Sequence, residues 1–337
     1  METNFWKQLK KPFFVLAPMA DVTDAAFRRI IATYSRHGEP GGGPAVFWTE
    51  FVSADGLSHP DGREKLMRDL MYTEAEHPIV AQLFGSNPDN MRQAAALCRE
   101  LGFDGIDINM GCPDKTIEKQ GAGAACIKNP NRAKEIIRAA KEGAGDLPVS
   151  VKTRIGYNKN ELETWLPALL EEDLAAVTIH ARTRKEMSLV PARWEHIKRA
   201  VEIRDAMRKD TLILGNGDAQ SITDARDKVA ATGCDGVMLG RAIFGNPWLF
   251  VSPEESQTAI HNKEITIREK LRVMVEHTKL FEELLGDAKS FAVMKKHYKA
   301  YVNGFDGAKE LRMELMEAKD AQEVEEIVRV FLARDTI

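Results

Sequence analysis

The chain has 337 residues, 44% of them hydrophobic, enough for one large barrel and a small extra domain. Its 47 basic and 51 acidic residues leave a net charge of −4, which taken alone argues against a nucleic-acid partner. The four cysteines form no CxxC pair, so neither a disulfide framework nor a metal is expected. Residues 1–11 lack a signal-peptide core and no apolar run approaches the roughly 20 residues of a membrane helix, so a cytoplasmic protein without a membrane partner is expected.

In chain order, residues 13–17 read as a strand and 24–34 as a helix. Residues 45–49 are the next strand, then 79–84. A helix over 88–101 leads into a strand over 105–108. Helical spacing at 131–142 precedes an extended run at 148–152. Another helix over 161–172 precedes a strand at 176–179. The pattern repeats with a helix at 194–207, a strand at 212–214, a helix at 221–231 and an eighth strand at 236–239. Eight alternations in about 240 residues fit a closed (β/α)8 TIM barrel. The second crossover is the least regular. The glycines at 41–43 precede a strand, which places them as a connector at the barrel's bottom face. After residue 250 the strand signal stops. Helical spacing continues over 265–285, 291–301, 308–316 and 324–332, so the chain divides into a barrel (1–250) and an all-α domain (251–337), with a linker at 251–260.

Barrel enzymes work from the loops after their strands. Those loops carry Pro18, Met19 and Ala20 after strand one, with Gln82 near the end of strand three. Asn109 and Cys112 follow strand four, Lys152 and Arg154 end strand five, and His180 ends strand six. Asn216, Gly217 and Asp218 follow strand seven, and Gly240 and Arg241 follow strand eight. Glycine backbone and an arginine at the last two loops suit a phosphate monoester. Lys152 suits an anionic reduced ring, or equally an ion pair with a barrel acid. His180 suits a ring or phosphate, or a satisfied core histidine. Met19 offers a soft apolar face. Cys112, between Gly111 and Pro113, sits on a rigid loop where chemistry is done, although a lone cysteine is also a common buried filler.

Together these segments resemble the tRNA-dihydrouridine synthases, flavin enzymes that reduce uridine in tRNA. The resemblance covers about residues 11–250. It rests on Ala17-Pro18-Met19-Ala20 with Thr23-Asp24, Gln82-Leu83-Phe84-Gly85 and Asn109-Met110-Gly111-Cys112-Pro113. Further segments are Val151-Lys152-Thr153-Arg154-Ile155-Gly156, Thr178-Ile179-His180-Ala181-Arg182-Thr183-Arg184, Gly215-Asn216-Gly217-Asp218 and Gly240-Arg241. Gly245-Asn246-Pro247-Trp248-Leu249-Phe250 is similar to the bacterial B-type branch. The resemblance implies FMN held by Pro18 to Ala20, Gln82, Lys152, His180, Asn216 to Asp218 and Gly240-Arg241, with NADPH or NADH as reductant. It implies Cys112 as proton donor, and reduced flavin giving a hydride to the uracil 5,6 bond from N5. A thiol of pKa about 8.5 is mostly protonated near neutral pH and suits that task. The target base must be drawn into the mouth, where Asn109 and Arg154 are placed to hold its polar edge.

The tail carries the RNA expectation. Residues 288–305 hold Lys289, Lys295, Lys296 and Lys299 and no acid, and Lys295 and Lys299 share a helical face. His297-Tyr298-Lys299 resembles the family's tRNA-binding segment, while the aromatics there also suit helix packing. One departure stands out: Met187 to Trp194 reads MSLVPARW, with Arg193 where the family has an acid. The competing readings are a dihydroorotate-dehydrogenase-like reductase of free pyrimidines and a non-catalytic flavin-containing RNA-binding protein. A monomer is expected.

Overall fold

In this computed structural model, residues 4–251 and 265–334 are described. The chain forms two compact units, residues 1–20 with 44–241, and residues 21–43 with 242–337. The unit boundary thus falls at Arg241 rather than at the 250 expected for the barrel, and the first crossover helix belongs to the second unit. The expected linker at 251–260 lies outside the described residues apart from Val251.

The first unit is a barrel of eight parallel staves. They are β1 (Phe13–Leu16), β2 (Phe47–Trp48 and Val52–Ser53), β3 (Ile79–Phe84), β4 (Gly105–Met110), β5 (Val149–Arg154), β6 (Ala176–His180), β7 (Leu212–Asn216) and β8 (Gly236–Leu239). Each pairs with the next from β2 through β8, and β8 pairs with β1. The gap between β1 and β2 is bridged by Ala45 N–H donating to Phe14 O at 2.8 Å. β2 is broken because Thr49 interrupts its ladder: Gln82 N–H donates to the Thr49 hydroxyl instead of to a carbonyl. That break, and the short helices that follow it, explain why the second crossover reads irregularly. Three of the larger barrel helices start where side chains cap them. Asn87 caps Pro88–Glu100, Asn129 caps Pro130–Ala144 and Ser221 caps Ile222–Thr232, the first two with proline at the first helical position.

Strand positions two apart point the same way, so each stave contributes an inward row. The lower rows are apolar: Phe13, Val15, Trp48, Val80, Ala176, Leu212, Leu214 and Met238 form one cluster. A single-turn helix, Phe5–Gln8, closes this end with Trp6, which is 2% exposed and lies 5.9 Å from the Trp48 ring. Above this cluster the inward positions turn polar, at Gln82, Asp107, Asn109, Ser150, Lys152 and His180.

The second unit is helical: Ala25–Tyr34, Ile267–Leu285, Met294–Tyr301, Ala308–Glu317 and Ala321–Arg334. Ile30, Leu271, Met274, Tyr298, Leu311 and Val324 are among the buried residues of its core. The glycine run at 41–43 is a turn, with Gly43 N–H on Ser35 O at 2.6 Å.

Candidate active site

One pocket opens at the carboxyl ends of the staves. It is lined by Ala17, Pro18 and Met19, by Lys152, by His180 and Arg182, by Ser188, by Asn216 to Ala219, and by Met238, Gly240 and Arg241. The lining therefore joins most of the expected cofactor residues: Pro18, Met19, Lys152, His180, Asn216, Gly217, Asp218, Gly240 and Arg241. Ala20 is exposed outside it. Gln82 is buried below it.

The pocket is cationic. Lys152, Arg182 and Arg241 line it against one acid, Asp218. Asp218 is already engaged. It accepts from Arg182 and, at 2.6 Å, from Arg241, and takes Ala192 N–H at 2.9 Å. Burial works against the charge on Asp218, yet the Arg182 hydrogen bond and the two guanidinium charges hold it below the usual carboxylate range. Arg182 also donates to His180 Nε2 at 2.9 Å, so that nitrogen carries no proton. Burial, then the charges of Arg154, Lys152, Arg182 and Arg241, push His180 well below the ordinary histidine range. A neutral imidazole among cations is an arrangement that favours an arriving anion. Burial, then Arg154, push the Lys152 ammonium down to about 8, against the pull of Asp107.

The phosphate-type loop is shaped by sterics. Gly217 has φ +124°, and a Cβ there would stand 2.8 Å from the Ala192 methyl and 3.1 Å from the His180 ring. The atypical loop at 187–194 supports this turn from beneath. Trp194 Nε1 donates to Gly217 O at 2.9 Å, and its ring fills the space a side chain at 215 would need. Arg193 pairs with Glu186 at 2.7 Å. The pocket's bare backbone, its excess of cations and the Met19 sulfur beside Gly240 fit a flavin with a terminal phosphate.

Cys112 lies on the loop after β4, half-buried and outside that lining. Burial raises its thiol pKa, so near neutral pH it holds its proton. The other three cysteines, Cys98, Cys126 and Cys234, are buried. Asn109 Oδ1 accepts from the backbone N–H of Gly111 at 3.1 Å and of Cys112 at 2.9 Å, while its Nδ2 donates to Gln82 Oε1. Arg154 donates to three carbonyls, Gly111 at 2.8 Å, Thr183 at 3.1 Å and Met187 at 2.9 Å. Both residues expected at the substrate's polar edge are thus engaged with backbone, holding the loops that flank the mouth.

Lys295 and Lys299 sit on helix Met294–Tyr301 of the helical unit. Lys295 is partly buried and donates to Met316 O, a terminal carbonyl of helix Ala308–Glu317, whereas Lys299 is exposed. His297 and Tyr298 are fully buried.

The sequence alone does not mark Arg182, Trp194 or Asp107 as site residues. Arg182 lies within the segment Thr178 to Arg184. Asp107 had a visible signal: Ile106-Asp107-Ile108-Asn109-Met110 alternates, which places a charge on an inward face.

Among the described residues no helix is long and apolar enough to cross a membrane, and no group of three or more His, Cys, Asp or Glu could hold a metal ion. A solved 2-naphthoyl-CoA reductase in complex with 2-naphthoyl-CoA shares the barrel fold, with TM-score 0.51 and 12% identity over 70% of this chain and 49% of that one. The sequence is 41% identical to the probable tRNA-dihydrouridine synthase 2 of Bacillus subtilis (strain 168), covering 98% of this chain and 97% of that protein. It is 40% identical to the probable tRNA-dihydrouridine synthase of Staphylococcus aureus (strain Mu50 / ATCC 700699), covering 99% and 97%. Residues 15–335 match the dihydrouridine synthase (Dus) family, and the chain belongs to that family of oxidoreductases.

Proposed function

We propose that this chain is an FMN-dependent tRNA-dihydrouridine synthase, reduced by NADPH or NADH and acting as a cytoplasmic monomer. The observation that carries the reading is the cationic pocket built on Gly217 and Gly240 at the ends of β7 and β8, with Cys112 on the loop after β4. Arg182, Arg241 and the backbone of Asn216 to Asp218 would hold the cofactor's phosphate. Lys152 would meet the ring, with Gln82 buried below the pocket, and Met19 would cover its face. When bound, reduced flavin supplies a hydride to one carbon of the uracil 5,6 bond. The Cys112 thiol holds the proton that the other carbon takes, and His180 stays neutral beside the anion.

Two measurements test this. Purified protein should carry a flavin absorbance spectrum, and acid extraction should release FMN. Protein with NADPH and unmodified tRNA should form dihydrouridine detectable by nucleoside mass spectrometry, whereas free uridine and orotate should stay unreduced. Reduction of the free pyrimidine alone would instead support the small-molecule reading.

A further inference from the structure

We propose that Asp107 is a positioning residue for Cys112, acting through a directed chain of hydrogen bonds across three staves. The proposal rests on the reading of Cys112 as proton donor and adds how its loop is held. Each link has a defined direction. Asp107 Oδ2 takes Gln82 Nε2 at 2.6 Å, so Gln82 must turn its oxygen the other way. That oxygen accepts Asn109 Nδ2 at 3.1 Å, which turns the Asn109 oxygen onto the N–H groups of Gly111 and Cys112. Ser150 Oγ holds the second oxygen of Asp107 at 2.7 Å. The two amides fit in either orientation on shape alone. Their sense is held from both ends, by the Gly111 and Cys112 N–H groups, which only donate, and by Asp107, the one side chain in the chain of contacts that accepts without donating.

Burial makes the arrangement strict. Gln82 is 0% and Asp107 1% exposed, so water cannot replace a broken link. Burial raises the Asp107 carboxyl to about 6, and the hydrogen bonds from Gln82 and Ser150 and the Lys152 charge oppose that rise. Both its oxygens accept, one from Gln82 Nε2 and the other from Ser150 Oγ, as those of an ionised carboxylate do. With the chain reversed, the Asn109 amide would aim N–H at two backbone N–H groups and the loop would lose its hold.

The test is Asp107→Asn. Asparagine keeps the shape but loses the charge and can accept on one side only, so it can no longer take hydrogen bonds from both Gln82 and Ser150 and its hold on the chain is weakened. Dihydrouridine formation per bound flavin should fall about 10–100-fold, the scale of a misplaced reacting group. The double variant Asp107→Asn/Cys112→Ala should be no slower than Cys112→Ala, since both changes remove the same contribution. Alkylation of the folded protein by iodoacetamide reports Cys112, because the other cysteines are buried, and its rate should rise in Asp107→Asn. A full additional loss on top of Cys112→Ala, or a wild-type rate in Asp107→Asn, overturns the proposal. If Cys112→Ala alone reduces tRNA at the wild-type rate, the proton-donor reading fails separately. Alkylation then decides the positioning role, and an unchanged rate overturns it. Should Asp107→Asn not fold, Ser150→Ala frees the same carboxylate and must shift activity and alkylation in the same directions.

Discussion

His277 and His297 meet edge to face in the core of the helical unit, with ring centroids 4.7 Å apart and planes at 76°. Phe27 lies 5.5 Å from one ring and 5.3 Å from the other. None of the four ring nitrogens has a hydrogen-bond partner among the described residues. Burial pushes His277 down to about 3, and burial, then His277 and Lys296, push His297 well below its ordinary value.

This pair predicts an acid-side loss of stability. A histidine whose folded pKa lies below 6.5 binds protons better when unfolded. Its stabilising contribution is full above about 6.5 and is lost as pH falls toward the folded value. At pH 5 the loss is about 2 kcal/mol for His277, and His297 adds in the same direction. The melting temperature should therefore drop by several degrees between pH 7 and pH 5. His277→Phe should flatten that drop whatever it does to stability at pH 7. Identical pH slopes in wild type and variant would show that His277 does not titrate on unfolding.

Cys112→Ala should retain flavin and lose about 10²–10⁴-fold in dihydrouridine formation, the usual contribution of a positioned acid. Flavin reduction by nicotinamide should change little, because the proton is needed only when the uracil is reduced. Stopped-flow absorbance separates the two half-reactions. Equal slowing of both would move Cys112 from proton transfer to packing.

Gly217→Ala should weaken flavin binding more than it weakens folding. A Cβ there has a strained φ of +124° and presses on Ala192 and His180, both at the pocket wall. Strain of this kind costs about 1–3 kcal/mol. Relief would shift the loop whose N–H groups are proposed to face the phosphate. Titrating apoprotein with FMN and following fluorescence quenching gives the affinity. Wild-type affinity would place the phosphate elsewhere.

The barrel was legible because its alternation of strand and helix is repeated and its strand ends carry small, polar or charged residues. The expectation at 236–239 matches β8, and 212–214 needed only Gly215 and Asn216 added. The second stave was legible only in its first segment, Phe47–Trp48 within the expected 45–49, and not in Val52–Ser53. Its break depends on the Thr49 hydroxyl replacing a backbone acceptor, which leaves no periodic signal. Residues 24–34 carry a helical signal, but nothing local says that this helix clusters with residues 242–337. At the site, residue type gave the pocket wall but not the orientations. Asn109 and Arg154 are polar and face the mouth region, so they read as substrate contacts. Asn109 instead turns back on the N–H groups of its own loop, at Gly111 and Cys112, and Arg154 holds carbonyls of segments 29 to 43 residues away, which no local pattern reveals.

The lysines of the tail must likewise be separated by what they touch. Lys295 donates to Met316 O and is partly buried, so its charge satisfies the end of helix Ala308–Glu317. Lys296 and Lys299 are exposed, with Lys296 3.9 Å from Asp21. The buried His297 and Tyr298 offer RNA nothing in this packing. Lys295→Met should therefore lower the melting temperature and leave the salt dependence of tRNA binding nearly unchanged. Lys296→Glu with Lys299→Glu should do the reverse, with little effect on melting and a marked loss of tRNA affinity. Each lost phosphate contact should reduce the log–log salt slope by roughly 0.7–0.9. Binding isotherms across a salt series, with melting curves on the same samples, separate the two classes. If the double variant binds tRNA with the wild-type affinity and slope, this helix is not an RNA surface and the contacts must come from other parts of the chain.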